Sequence, residues 1–270
     1  MATTPAKPLI TSRKPLGRWS PGSRPGSPQA EMMRAARRVQ RAVRGVFTAQ
    51  REWLSRNWST LLTPTQTMQL TKALPDVDPL DWGEWNAVME IEVMQALAQA
   101  LKVGGEGGMT ELGMSVDWTL ANPEAQKWIR QRGLDLAKGL NATTKDRLRA
   151  VIQTGLAEGR SSVQIREGLL RSMRGMTPRR AGLIAQTETI NAHSEGALQV
   201  YRAAGVEGKK WLNRRPNACP LCIRLDGQVV PIDEPFVDPV TGRNIDRPSA
   251  HVSCQCAIRA VVYLPEGETS

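Results

Sequence analysis

The residues with the clearest chemistry are four cysteines and one histidine that lie between positions 219 and 256. They form two short motifs, Cys-x-x-Cys at Cys219 and Cys222, and His-x-x-Cys-x-Cys at His251, Cys254 and Cys256. The first spacing lets two thiolates grip one tetrahedral ion, and the second motif offers three further ligands for the two remaining positions. The two motifs therefore predict a closed, structural zinc site that uses four of these five side chains.

Other roles for the four thiols stay open from the sequence alone. Disulfides, unused thiols and transient redox pairing are the alternatives to zinc, and disulfides matter more if the mature protein works outside cells. The N-terminus lacks the apolar run of a signal peptide, and no stretch approaches the roughly 18 apolar residues that cross a bilayer. We therefore predict a soluble protein made in the cytoplasm, where reduced cysteines favour metal binding.

A zinc-dependent enzyme is the alternative function for the same residues. The sequence "HSE" at 193–195, followed by Cys219 and Cys222, resembles the H-x-E…P-C-x-x-C signature of nucleobase deaminases. In those enzymes the histidine and two cysteines bind zinc, and the glutamate moves protons. Here Ala218 replaces the proline, His193 lies inside a long helical pattern, and the second motif would have no role. We therefore predict a protein that is not an enzyme, with a deaminase or nuclease as the alternative.

The positive charge of the chain is concentrated at its N-terminal end. The net charge is +10, and residues 1–60 carry twelve Lys and Arg against Glu31 and Glu52, so the remainder is neutral. Such an arm predicts non-specific contacts with DNA phosphates. The predicted nucleic-acid contacts are Lys7, Arg13, Lys14, Arg18, Arg24, Arg34, Arg37, Arg38, Arg41 and Arg44. A solvated tail followed by a helix packed on a partner is the alternative, and membrane binding by a basic helix is a less favoured third role.

Composition and periodicity divide the chain into four parts. The expected parts are a disordered basic tail at 1–29, an N-terminal helical region with a basic first helix at 30–118, a second helical part at 119–206, and a β-rich Cys/His module at 207–265. We therefore predict a mainly α protein with a small C-terminal β-rich, zinc-ribbon-like module, which is an α+β fold.

Local signals predict where the helices begin and end. The stretch "GGEGG" at 104–108 is expected to end one helix, and Gly205 another. Helix starts are predicted at Asn122–Pro123, at Thr143 or Thr144, at Ser161 or Ser162, and at Thr177–Pro178.

Three stretches in the C-terminal half have the order and spacing of a known family. They are "AQTETINAHSEGALQVYRAAG", "KKWLNRRPNACPLCIRLDG" and "RPSAHVSCQCAI". They contain a Thr-Glu pair at Thr187 and Glu188, a strand with Trp211, the first cysteine pair, an "LDG" turn, and the final His/Cys motif after Pro248. Over about residues 120–260 the chain resembles the C-terminal domain of the Mu F-like phage head morphogenesis proteins. Gln186 and Gln255 depart from the family, which usually has Arg at both positions.

The resemblance implies a minor head protein of a tailed phage, made in the host cytoplasm and placed inside the virion head near the portal. The expected partners are the portal protein, the major capsid or scaffold protein, packaged double-stranded DNA, and other copies of the chain. The implied role is head assembly with genome packaging or delivery. Thr187 and Glu188 are expected to be structural and to orient His251 or a loop, although Glu188 acting as a general base beside the metal is the alternative.

Overall fold

A computed structural model describes residues 27–61, 82–115, 118–213 and 218–263. Four long helices come first: α1 (Pro28–Leu61), α2 (Trp82–Glu111), α3 (Pro123–Ala157) and α4 (Ser162–Ala203). The C-terminal part contains β1 (Gly208–Leu212), α5 (Pro220–Leu225), β2 (Val229–Pro231), β3 (Phe236–Val237), β4 (Asn244–Ile245) and β5 (Ala257–Val261). The predicted fold class, mainly α with a small C-terminal β-rich module, is confirmed.

The chain forms two compact units, and the long helices contribute residues to both. We call residues 37–96 and 127–185 the helical unit. The module unit contains residues 97–126 and 186–270 together with the first 36 residues, as far as the structure describes them. Each unit has its own packed interior.

The interior of the helical unit is an apolar cluster from α1, α3 and α4. Leu54 of α1 packs with two residues of α3 and three of α4, each set spaced by four: Leu148, Ile152, Ile165, Leu169 and Met173. This spacing places each set on one helix face, as an amphipathic helix requires. A buried hydrogen bond from Gln50 Nε2 to Asn141 Oδ1, 2.6 Å long, also joins α1 to α3.

The interior of the module unit is built on a three-stranded antiparallel sheet with strand order β2-β1-β5. Trp211 of β1 is completely buried and meets the ring of Phe236 edge to face, with 5.1 Å between ring centroids. Leu198 and Tyr201, near the end of α4, belong to the same core cluster. The last turns of α4 therefore pack on the β-rich part and complete its core.

The glycine-rich stretch 104–108 lies inside α2, so the predicted helix end at this position is wrong. A Cβ atom at Gly104 would overlap the backbone carbonyl of His193, and one at Gly196 would overlap the carbonyl of Leu101. The backbones of α2 and α4 are therefore in direct contact. This close packing offsets the cost of glycine in a helix, which is about 1 kcal/mol relative to alanine.

Two further predicted helix starts are wrong. Thr143 and Thr144 lie in the middle of α3, where their hydroxyls donate to the carbonyls of Gly139 and Leu140, 2.8 and 2.9 Å away. Threonine can bond back to the preceding turn in this way instead of capping a helix. Likewise, α4 continues through positions 177–178 as one helix.

The other predicted boundaries are confirmed by their capping contacts. Asn122 caps α3, because its Oδ1 accepts from the backbone N–H of Glu124 at 2.9 Å. Ser161 and Gln164 form a reciprocal capping box before α4, with contacts of 2.8 and 3.3 Å. Gly205 follows α4 with φ +68°, which is the left-handed conformation typical of a helix end.

Candidate metal centre

The first cysteine pair is positioned by the short helix α5. Cys219 is the N-cap of this helix, and its Sγ accepts a hydrogen bond from the backbone N–H of Cys222 at 3.4 Å. Pro220 occupies the first turn, where its fixed φ suits a helix start and its missing N–H costs nothing. The sequence Cys-Pro-Leu-Cys therefore folds into a turn that points both sulfurs to the same side.

The second motif lies in a loop between β4 and β5. Ser253 has φ +63°, a left-handed conformation that is unfavourable for a residue with a side chain. Two side chains of α4 hold it there: Thr187 Oγ1 accepts from the Ser253 N–H at 3.2 Å, and Gln186 Nε2 donates to the Ser253 carbonyl at 3.4 Å. The structure thus places Thr187 against the loop, while Glu188 is buried on the same helix.

The imidazole of His251 is oriented by its own loop. Nδ1 lies 2.8 Å from the carbonyl oxygen of Val252. Because a carbonyl oxygen only accepts hydrogen bonds, Nδ1 carries the proton and Nε2 presents its lone pair. Nε2 lies 3.1 Å from the Cys219 sulfur and 3.0 Å from the Cys222 sulfur. This is the arrangement in which a neutral histidine serves as a metal ligand.

All five predicted ligands come together in two overlapping groups of three. Cys219, Cys222 and His251 form one group, and Cys222, Cys254 and Cys256 form the other, with all ligand atoms of a group within 4.8 Å of one another. The sulfurs of Cys222 and Cys254 are 3.8 Å apart. Two sulfurs bound to one tetrahedral zinc ion at about 2.3 Å would be about 3.8 Å apart, so this separation fits.

Hydrogen bonds among the three buried thiols shift their pKa values. Cys222, Cys254 and Cys256 are all buried, and all four cysteines are free thiols. Hydrogen bonds from the thiols of Cys222 and then Cys256 lower the pKa of Cys254. The bond that Cys222 donates to Cys254 raises the pKa of Cys222. Of the three thiols, Cys254 is therefore the one whose thiolate form, the form that binds a metal, is most favoured by its neighbours.

A partly buried ion pair, which the sequence did not suggest, supports α5. The guanidinium of Arg224 donates two hydrogen bonds to Asp238, 2.7 and 2.9 Å long, and Asp238 also accepts from Thr241 Oγ1 at 2.7 Å. The bond from Arg224 is the largest cause that lowers the pKa of Asp238. The only sequence signal was the turn-forming stretch "DPVTGRN". The pair fixes the β3–β4 turn to the helix that carries the first two cysteines.

Glu111, the last residue of α2, connects that helix to the end of α4 and to β5. It accepts hydrogen bonds from the hydroxyl of Tyr201 at 2.8 Å and from the backbone N–H of Ala260 at 3.1 Å. Burial, followed by the charge of Glu111, raises the pKa of Tyr201. Nothing in the sequence near Glu111 indicated this role, because its partners are far away along the chain.

The residues of the deaminase-like signature are not gathered at the cluster. Among the described residues, neither metal-capable group includes His193 or Glu195. Glu195 is buried, with one carboxylate oxygen 3.1 Å from Arg247 and the other accepting from Gln199 at 3.0 Å. These contacts tie Glu195 to neighbouring side chains of the module unit, as in a structural ion pair.

The predicted DNA contacts are only partly within the described part of the chain. Lys7, Arg13, Lys14, Arg18 and Arg24 lie outside the described residues. The others lie on α1, where all of them are exposed: Arg34, Arg37, Arg38, Arg41 and Arg44. Arg34 is paired with Glu31 one turn earlier.

A comparison with protein families gives a match that falls on this site. Residues 146–259 match the family model described as Phage Mu protein F like protein. No curated protein and no solved structure matches the chain. Within the described ranges, none of the helices combines the length and apolar composition needed to cross a membrane. The matched segment contains α4 and all five side chains of the cluster, and this part of the chain is similar to the Phage Mu protein F-like family.

Proposed function

We propose that the chain is a minor head protein of a tailed phage, and that a structural zinc ion holds its Mu F-like domain together. The family match points to head morphogenesis. The observation that carries the zinc proposal is the convergence of five Cys and His ligands inside the matched segment. Four of them would saturate a tetrahedral ion, so the ion would staple the module and leave no open position for a substrate.

Zinc binding fits the small size of the β-rich part. Two of its five strands are two residues long, and one is three residues long. Such short strands bury little apolar surface, and small modules of this kind usually depend on a metal or a disulfide. When bound, the zinc would connect α5 to the loop before β5, which are the two segments that carry the ligands.

Native mass spectrometry of the full chain tests the zinc site. We expect one zinc per chain in the wild type and none in the Cys254→Ser/Cys256→Ser variant. Val252→Ser, which changes an exposed side chain of the same loop, is the control and should keep the ion. A double variant that retains its zinc would mean that Cys219, Cys222 and a histidine hold the ion, and the enzyme alternative would regain support.

The proposed place of the protein is inside the head near the portal, after synthesis in the host cytoplasm. Its proposed partners are the portal protein, the major capsid or scaffold protein, other copies of the chain and the packaged DNA. Two exposed apolar side chains, Ile223 and Val252, support a protein-binding surface because each follows a ligand of the cluster in sequence. The four-part division of the chain made from its sequence is proposed as well.

Protein composition of purified phage particles tests this role directly. We expect the chain in mature heads and in portal complexes isolated from them. Particles made with Cys254→Ser/Cys256→Ser should contain less of it and package less DNA, whereas Val252→Ser particles test the apolar surface separately. Absence of the chain from heads, together with zinc-dependent deamination or cleavage of nucleic acid by the purified protein, would replace the proposal with the enzyme alternative.

A further inference from the structure

The helical unit has an open groove between α1 and α2, on residues that the zinc site does not use. Its volume is about 580 Å³. On the α1 side it is lined by Arg38, Arg41, Ala42, Gly45 and Ala49. These positions recur every three or four residues, so they lie along one face of the helix.

Among the residues that the structure describes, the groove carries only positive charge. Arg38 and Arg41 are both exposed, and the described residues that line the groove include no acid. Arg34, one turn before Arg38, is instead paired with Glu31. The groove therefore favours an anionic ligand, which the two guanidinium groups would contact directly.

The floor of the groove is nearly bare helix backbone. A Cβ atom at Gly45 would have no other atom within 4 Å, so the space above it is open. Ala42 and Ala49 add only methyl groups. Val46, which is buried, Gln95 and Ala96 complete the lining. Protein partners usually anchor a large aromatic or aliphatic side chain in a deep pocket, and a lining of mostly small and charged residues is poorly suited to that. Such a lining suits a negatively charged polymer backbone that lies close to the helix.

We propose that this groove binds the sugar–phosphate backbone of duplex DNA, with Arg38 and Arg41 on phosphates and Gly45 at the point of closest approach. The proposal rests on the DNA contact in the proposed function and narrows it from a diffuse basic arm to one site. Binding there needs no base recognition, because phosphate contacts are the same in every sequence.

Two double variants distinguish DNA binding in the groove from general electrostatic attraction to the basic helix. Arg38→Ala/Arg41→Ala removes two groove charges, and Arg37→Ala/Arg44→Ala removes two exposed charges of the same helix that do not line the groove. Binding of a 20-base-pair duplex is measured by fluorescence anisotropy across salt concentrations. The groove variant should bind at least tenfold more weakly and reduce the slope of log K against log salt by about 2, whereas the control pair should change affinity less than threefold.

A substitution without charge tests the close approach. Gly45→Leu fills the groove, and it should weaken DNA binding severalfold without changing the salt slope. Gly139→Leu is the matched control, because a Cβ at this exposed glycine of α3 also meets nothing within 4 Å. Circular dichroism would establish that both variants remain helical.

The remaining outcomes are distinct. If both double variants weaken DNA affinity equally, the groove proposal is wrong and a diffuse DNA contact remains. If the wild type binds no DNA, both the groove proposal and the diffuse DNA contact are wrong. The zinc site and the location in the head are tested by separate experiments and would be unaffected. If a poly-glutamate peptide binds more tightly than DNA, with the same dependence on Arg38 and Arg41, an acidic protein segment is the ligand instead.

Discussion

A single buried lysine shows how one residue couples the module unit to pH. Lys209 of β1 is 2% exposed, and its Nζ donates to the carbonyl of Asp246 at 2.9 Å and lies 5.4 Å from the ring centroid of Phe236. Burial is the main cause that lowers the pKa of Lys209, to about 8. The charged form is therefore less favourable in the folded chain than in water.

This lowered pKa predicts a rise of stability in mild base. An unfolded lysine keeps its proton up to a pKa of about 10.4. Between about 8 and this value the unfolded chain binds more protons than the folded one, so the free energy of unfolding rises with pH. Urea denaturation of the zinc-saturated protein between these pH values should show the rise in the wild type and in Lys210→Met, but not in Lys209→Met. An unchanged rise in Lys209→Met would contradict it.

Thr187 is expected to act on the metal cluster through the loop that it holds. Thr187→Val removes the acceptor for the N–H of Ser253 and should cost about 1 kcal/mol of stability. Because Ser253 is held in a left-handed conformation two residues after His251, zinc transfer to a chelator should also become faster. Thr187→Ser keeps the hydroxyl and should behave like the wild type. Equal transfer rates in all three proteins would show that Thr187 does not position the loop.

At the scale of elements, a glycine in the contact between α2 and α4 should respond to substitution differently from a glycine on an open helix face. Gly196→Ala places a methyl group on the carbonyl of Leu101, and such overpacking should cost about 3 kcal/mol. Gly139→Ala in α3 meets open space and should stabilise the protein by about 1 kcal/mol through helix propensity. Urea denaturation of both variants should therefore give opposite signs. A neutral Gly196→Ala would mean that the two backbones separate easily.

Some local signals predicted their elements correctly, although those at Thr143, Thr144 and Thr177 did not, and features set by distant contacts could not be predicted. Asn122 and Ser161 were assigned correctly because a cap bonds to residues only two or three positions away. The stretch 104–108 was assigned wrongly because Gly104 and Gly108 are explained by α4, about ninety positions further along the chain. The candidate ligands were recognised from their spacing, and the structure brings them together. The support that Glu111 and Arg224 give to the site was not, because the pairing of these side chains depends on the tertiary fold.

At the scale of the whole molecule, the candidate zinc site and the proposed DNA groove lie in different units. The ligands belong to the module unit, and Arg38, Arg41 and Gly45 belong to the helical unit. The positive excess of residues 1–60 falls outside the matched segment 146–259. The matched segment and the residues of the proposed DNA contact therefore do not overlap in sequence, although Leu54 of α1 packs on matched residues of α3 and α4.

Removal of the metal should therefore affect the two units unequally. After a chelator is added, backbone amides of β1 and β5 should exchange hydrogen faster, because the loop before β5 and α5 are no longer cross-linked. Amides of residues 37–56 in α1 and 127–152 in α3 should keep their protection. Hydrogen-exchange mass spectrometry resolves these peptides. Uniform loss of protection across both units would contradict this prediction and show that the chain unfolds as a whole.

The glycine contact also sets the shortest recombinant fragment that can fold. The family match begins at residue 146, yet Gly196 within it packs on the backbone of Leu101, and Tyr201 bonds to Glu111. A fragment cut at residue 146 would leave that strip of α4 without its cover and expose Tyr201. Fragments for expression should therefore contain α2, and α1 as well because Leu54 packs on α3 and α4, so they should begin at or upstream of Pro28. The folding domain is longer than the stretch that sequence similarity outlines.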